Sequence, residues 1–210
     1  ACGVLPRTID VEGFGGSPRV LSYLDVLRAK APVGKSVAIV GAGGIGFDVA
    51  EYLSKREPSH SQTIEQYLEY WGVDKEYLEA GGLTEPAADE VVREIFLLQR
   101  SHGKFGAELG KTTGWVHRSA LRKAGVKMIG GVKYEKFSKD GLHITSAGER
   151  HVLDVDNVVV CAGQVSDRTL PEALEEHGLS YVVIGGCRDA RGIDAKRAIA
   201  EGTKSALSIG

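Results

Sequence analysis

The apolar positions of this chain fall into short runs separated by glycine-bearing turns. "KSVAIVG" at residues 35–41 is a continuous apolar run of the kind that a parallel sheet buries on both faces. "EIFLLQR" (94–100) and "NVVVCAG" (157–163) read the same way. Ile45, Val49, Ala50 and Leu53 recur at helical spacing and predict a helix over 44–55. Val20, Leu21, Tyr23, Leu24, Val26 and Leu27 predict another in "RVLSYLDVLRAK", ended by Ala31-Pro32-Val33-Gly34. Helices are also expected over 113–124, with Gly125 as C-terminal cap, and over 194–208. "VKMIGGVKYEKF", "GLHITSAG" and "RHVLDV" carry β signals. The turns Lys139-Asp140-Gly141 and Ala147-Gly148-Glu149 join them into a small antiparallel meander. "YVVIGG" (181–186) reads as a last apolar strand. Strands alternating with helices, with the meander before a final strand, predict an α/β fold: a Rossmann-like unit of parallel sheet and flanking helices.

Residues 56–93 break the alternation. They read as an insertion with two short helices, over 63–71 and 74–80.

Composition narrows the class. Among 210 residues, 42% are hydrophobic and 26% charged, and the net charge is −2. These values suit an ordinary globular protein, with no global field to draw nucleic acid or an anionic membrane. No apolar run nears the roughly 18 residues that span a bilayer. The three cysteines (Cys2, Cys161, Cys187) are widely spaced with no CxxC, which argues against a metal or dithiol centre in this segment and fits a reducing cytoplasm. The six histidines show no triad or metal spacing. The 28 glycines are about twice the usual share, so tight turns or close backbone approaches to a ligand are expected.

One glycine cluster carries a specific chemistry. Gly41-Ala42-Gly43-Gly44-Ile45-Gly46 matches G-x-G-x-x-G directly after a strand and directly before a helix. Gly41 permits the tight turn, and Gly43 lets the backbone approach a pyrophosphate. Gly46 lets the helix pack on the strand, and the helix N-terminus supplies N–H groups and partial positive charge. The alternative is only a tight strand–helix turn.

A free ribose 2′-OH calls for Asp or Glu at the end of the second strand. Here that strand ends in Gln99-Arg100, followed by Lys104, Lys111, Arg118, Arg122 and Lys123 against only Glu108. This favours a 2′-phosphate and hence NADP(H) over NAD(H), provided the sheet order continues across the insertion. A solvated basic face is the plainer reading for some of these residues. "GKTTGW" (110–115) places Lys111, Thr112 and Thr113 at a helix start, where a hydroxyl would cap and Lys111 would face an anion; an ordinary N-cap is the alternative.

Together "ACGVLPR", "VLSYLDVLR", "VAIVGAGGIGFD", "GKTTGWVHR", "DNVVVCAGQ", "IGGC" and "DAKRAIAEGT" closely resemble the C-terminal FAD/NADPH-binding region of bacterial NADPH-dependent 2,4-dienoyl-CoA reductases, flavoproteins of the trimethylamine-dehydrogenase-like class. The resemblance spans essentially the whole chain. It implies a domain layout in which 1–33 is a linker from an FAD domain, 34–165 an NADPH-binding domain and 166–210 the return to the FAD domain. It implies that "ACGVLPR" is the hand-over turn of an upstream FAD half, so that the chain is a fragment. Cys161, Ala162 and Gly163 would then join the glycine loop, Gln99, Arg100, Lys104 and "KTT" around NADPH. Gly3, Arg7, Gly185, Gly186, Cys187, Asp194 and Ala195 would contact FAD. An FMN barrel and a 4Fe-4S cluster are implied upstream, with no catalytic side chain in this segment. The implied partners are those missing halves, with self-association through the surface they would cover. An amine-oxidising relative with the same layout and a non-enzymatic NADPH-binding module remain as alternatives. A short-chain reductase does not, because no tyrosine has a lysine four residues later.

Overall fold

The computed structural model describes residues 3–55, 63–78, 80–86 and 91–208. Its strands are β1 (Val4–Pro6), β2 (Val20–Ser22), β3 (Ser36–Val40), β4 (Glu94–Leu98), β5 (Lys127–Ile129), β6 (Lys133–Ser138), β7 (Gly141–Ser146), β8 (Glu149–Leu153), β9 (Asn157–Val160) and β10 (Gln164–Ser166). Its helices are α1 (Tyr23–Leu27), α2 (Gly44–Ser54), α3 (Ile64–Trp71), α4 (Gly114–Lys123), α5 (Thr169–Glu176), α6 (Gly185–Arg188) and α7 (Ala195–Leu207).

Five strands form a parallel sheet in the order β2-β9-β3-β4-β5. The chain lays down β3, moves outward to β4 and β5, then returns to the other side of β3 as β9. That reversal between β3 and β9 is a topological switch point, where open α/β sheets form a crevice at the carboxyl ends of their strands. The α/β, Rossmann-like class expected from the sequence is the one observed.

Both faces of the sheet are covered, which explains the unbroken apolar runs. Val37 and Ile39 point to one face, with Leu97 and Val159, and meet Phe47, Val49 and Leu53 of α2 and Leu121 of α4. Ala38 and Val40 point to the other, with Leu98, Val158 and Val160, and meet Phe137, Leu142 and Ile144 of the meander. That meander is β6-β7-β8, antiparallel, with hairpin turns where the glycines predicted them. Ala147 and Gly148 both take positive φ (52° and 84°), the pairing that a tight two-residue hairpin requires. Gly125 (φ 75°) closes α4: its N–H donates to the Arg122 carbonyl and that of Val126 to Leu121.

Several elements differ from the sequence pattern. Residues 20–22 form a parallel strand beside β9 rather than the start of a helix. Ser22 halts the strand, because its hydroxyl accepts from the Asp25 N–H while the Asp25 carboxylate accepts from the Ser22 N–H at 2.7 Å. The parallel sheet therefore includes residues 20–22, which precede the boundary expected at 33/34. "YVVIGG" makes no strand: among the described residues nothing pairs with 181–184, and 185–188 wind into a single turn. The helix expected over 74–80 is absent from its described part. Gly72 ends α3 in the left-handed region, and Tyr77, Gly81 and Gly82 also take positive φ, folding the chain so that Val73 bridges Leu83. Of the insertion, residues 56–62, 79 and 87–90 lie outside the described residues, as do Ala1 and Cys2 of the opening stretch. Residues 4–6 of the opening stretch and 164–166, just after β9, pair directly as antiparallel β1 and β10.

Phe47 is 2% exposed and sits between α2, the sheet and the loop after β4. Phe47→Ala is expected to cost about 3–5 kcal/mol through the cavity it leaves, seen as a lower urea midpoint with an unchanged slope.

Candidate nucleotide-binding site

A cleft of about 710 Å³ opens at the carboxyl ends of β3, β4 and β9. Its floor is the glycine loop, and each glycine there has a separate steric reason. Gly41 has φ 111°, and a methyl on it would overlap the Cys161 carbonyl. A methyl on Gly46 would overlap the carbonyl oxygen of Gly41, so α2 packs on the loop backbone-to-backbone. Gly43 and Gly44 face open space. Gly43 is also the N-cap of α2, with no side chain capping it and no acidic residue in the first turn. The N–H end of an eleven-residue helix thus points into the cleft, which suits a pyrophosphate by direct donation and by the helix dipole.

Of the residues expected around NADPH, Gly41, Ala42, Gly43, Gly44, Ile45, Gln99, Arg100, Lys104, Cys161, Ala162 and Gly163 line this one cleft, with Gly46 directly beneath. Arg100 and Lys104 stand at the end of β4 and outweigh Glu108 in charge. Gln99 does not face a ligand with its amide nitrogen: Nε2 donates to the carbonyls of Ser101 and Gly103, both at 3.1 Å, and so holds the loop that presents Arg100.

Lys111, Thr112 and Thr113 are not brought to the cleft. Thr113 occupies the N-cap position of α4 but caps nothing with its hydroxyl. It already has helix-like dihedrals (φ −114°, ψ −20°), and the preceding turn supplies the acceptor instead, with Gly114 N–H donating to the Gly110 carbonyl at 2.8 Å.

Five further stretches line the cleft that sequence reasoning did not assign to it: Val40, Ser101, Gly106-Ala107-Glu108, Gln164 and Tyr134. Tyr134 comes from the meander and lies far along the chain from the other walls. Its hydroxyl is buried without a hydrogen-bond partner, an arrangement that costs about 1–3 kcal/mol. Burial pushes its ionisation well above the ordinary phenol range, and the Arg100 cation nearby opposes that rise.

The residues expected around FAD divide in two. Arg7 lies beside Gly163, donating through its backbone to the Gly163 carbonyl (3.1 Å) and through Nη2 to that of Gln164 (3.4 Å). Gly3, Gly185, Gly186 and Cys187 gather around β1 and β10. There Ser166 Oγ donates to Gly186 O at 2.7 Å, the Cys187 thiol donates to Asp167 O, and Gly3 O accepts from Asp167 N–H. A methyl on Gly186 would stand 2.7 Å from Val4 Cγ1, so that glycine is a packing contact. The Gly185 N–H is taken by Glu201 at 2.6 Å, and Glu201 also pairs with Arg188. Asp194 caps α7 by accepting from the Arg197 N–H at 2.7 Å, and Ala195 opens that helix. Within this chain the Gly185 donor is held by Glu201 and the Asp194 carboxylate by the Arg197 N–H.

Cys161 closes the cleft at the end of β9 and is 7% exposed. Burial raises its thiol to about 12, with the negative charge of Asp48 adding to the rise. At pH 8 only about one thiol in ten thousand is then ionised. In a Cys2→Ser background the native protein should not react with Ellman's reagent at pH 8, and two thiols should titrate in urea. Fast native labelling of Cys161 would mean that this end of β9 opens.

Among the described residues no helix is long and apolar enough to cross a membrane. A metal reductase of Desulforamulus reducens is 23% identical over 158 residues, covering 75% of this chain and 22% of its own length. A cinnamate reductase of Clostridium sporogenes is 23% identical over 170 residues, covering 81% of this chain and 20% of its own. The chain therefore spans about a fifth of the length of these relatives. The solved structure of a 2-naphthoyl-CoA reductase in complex with 2-naphthoyl-CoA shares the fold, with a TM-score of 0.72 and 23% identity over 99% of this chain and 26% of that one. The pyridine nucleotide-disulphide oxidoreductase profile matches residues 1–186, over the glycine loop, the sheet and the meander just described, and the chain belongs to that family of flavin- and NAD(P)H-binding oxidoreductases.

Proposed function

We propose that the β3–β9 cleft binds NADPH, and that the chain is the nucleotide-binding portion of a flavoprotein reductase acting on 2,4-dienoyl-CoA or a related enoyl substrate. The observation that carries the binding is the uncapped N-terminus of α2 opening between Gly41 and Gly163, with Arg100 and Lys104 at the far end. In this orientation the pyrophosphate lies over Gly43 and Gly44. The adenosine end reaches Arg100, and the nicotinamide end lies along Ala162 and Gly163, beside Arg7. Gly163 (φ 97°) keeps that wall free of a side chain.

When bound, the nicotinamide supplies a hydride, and we place its acceptor, FAD, on the Arg7–Gly163 side. The chain's own residues bind and orient; transfer between two cofactors asks for no general acid or base here. FMN and a 4Fe-4S cluster belong to the same proposal, on polypeptide outside these residues. The enoyl substrate class is supported by the cinnamate and naphthoyl-CoA reductases among the similar proteins. Ile199 and Leu207 of α7 are 68% and 83% exposed, an apolar face suited to docking on the remaining flavoprotein.

Calorimetric titration of the protein with NADP+ and NAD+ tests the site. NADP+ should bind at least tenfold tighter, and Arg100→Asp should remove or invert that preference. Binding of NADP+ with no change in Arg100→Asp would place the 2′-phosphate elsewhere, and binding of neither nucleotide would remove the proposal. The chain alone is expected to bind NADPH without reducing dienoyl-CoA. With NADP+ binding established, dienoyl-CoA reduction by the whole flavoprotein, carrying FAD, FMN and the cluster, separates the reductase from an amine-oxidising or non-enzymatic relative.

A further inference from the structure

Tyr134 reaches the cleft through an irregularity in β6. Across the β6–β7 ladder Tyr134 faces Ile144 and Lys136 faces His143, so Glu135 is an extra residue, a β-bulge. In a regular strand Tyr134 and Phe137, three positions apart, would point to opposite faces. The bulge lets both face the parallel sheet: Phe137 opposite Leu142 in the core, and Tyr134 opposite Ile144 at its edge. Bulges next to binding sites commonly re-aim a side chain in this way.

The aimed side chain ends in an unsatisfied group. The ring packs against the meander core and lines the cleft, while the hydroxyl is shut off from water and bonds to nothing. The other polar groups at this end are accounted for differently. The Gln99 amide nitrogen is used by its own loop, and Arg100 is exposed. Arg100 is also the charged group whose field Tyr134 feels. A donor with no partner beside an exposed cation is an arrangement for an anion that both would hold.

We propose that the Tyr134 hydroxyl donates a hydrogen bond to the 2′-phosphate of NADP(H), alongside the Arg100 guanidinium, and so sets the preference for the phosphorylated dinucleotide. This rests on the NADPH reading of the cleft. Arg100 supplies charge; Tyr134 supplies direction, its hydroxyl turning from its covered position in the free protein to face the phosphate. Phenylalanine keeps the ring and its packing, so Tyr134→Phe isolates the hydroxyl.

Titrations of wild-type and Tyr134→Phe protein with NADP+ and with NAD+ test the inference, with thermal melts of the nucleotide-free proteins alongside. The variant should bind NADP+ about tenfold more weakly, bind NAD+ as wild type does, and melt at a higher temperature when free, because an unpaired buried hydroxyl is gone. Equal NADP+ affinity in the two proteins would overturn the role of Tyr134 while leaving the NADPH reading standing. Equal losses for NADP+ and NAD+ would also overturn it, assigning the hydroxyl to a part that both nucleotides share. Wild-type protein that binds the two nucleotides equally would overturn the NADPH reading and this inference with it.

Discussion

The contact between the α-carbon of Gly46 and the carbonyl oxygen of Gly41 is the constraint on which the site depends. No side chain fits between them, and Gly41 itself abuts the Cys161 backbone on its other side. The end of β3, the first turn of α2 and the end of β9 are thus locked at main-chain distance. Because α2 cannot retreat, its free N–H groups stay at the mouth of the switch point rather than a few ångströms back, where a dipole would act weakly. Phe47, next in sequence to Gly46, holds the same turn from below, against the sheet and the loop that carries Lys104.

The second constraint is the two-sided burial of the parallel sheet. Helices cover one face, as βαβ connections dictate, and the other is covered by a meander. An antiparallel meander can carry a bulge and so change the phase of its side chains partway along. A helix in that place would present its residues at a fixed 3.6 period. The meander therefore does two things at once: it buries Val40, Leu98 and Val160, and it delivers Tyr134 to the end of β4.

The ends of the described chain obey a different logic. β1 and β10 close on each other, α6 packs on β10, and α7 packs on α6 through Glu201, away from the parallel sheet. α7 has no buried residue, although its sequence has a helical apolar face. It is held by the Asp194 cap, by the Arg188–Glu201 and Arg197–Glu201 pairs, and by a half-buried face that includes Ala198, Gly202 and Ser205.

The parallel strands, the glycine loop, the hairpin turns and the cap at Gly125 were readable in the sequence because each depends on neighbours within a few positions. Apolar runs, glycine spacing and turn residues are local signals. Three things were not local. Residues 20–22 carry a helical pattern, yet they become a strand because β9 lies beside them and Ser22 caps α1 directly after. Residues 181–184 carry a strand pattern, yet no neighbour among the described residues completes a ladder. Gln99 and Lys111 have suitable chemistry for an anion, but the loop after β4 uses the first and the turn before α4 carries the second away. Tyr134 is the clearest case. A single extra residue in β6 decides which way it points, and that bulge exists only in the register between two strands. The sequence by itself determined the kind of fold and the tight glycine turn between β3 and α2. The tertiary structure decided which distant side chains meet there, because strand pairing and the packing of the meander on the sheet join residues that no local pattern connects.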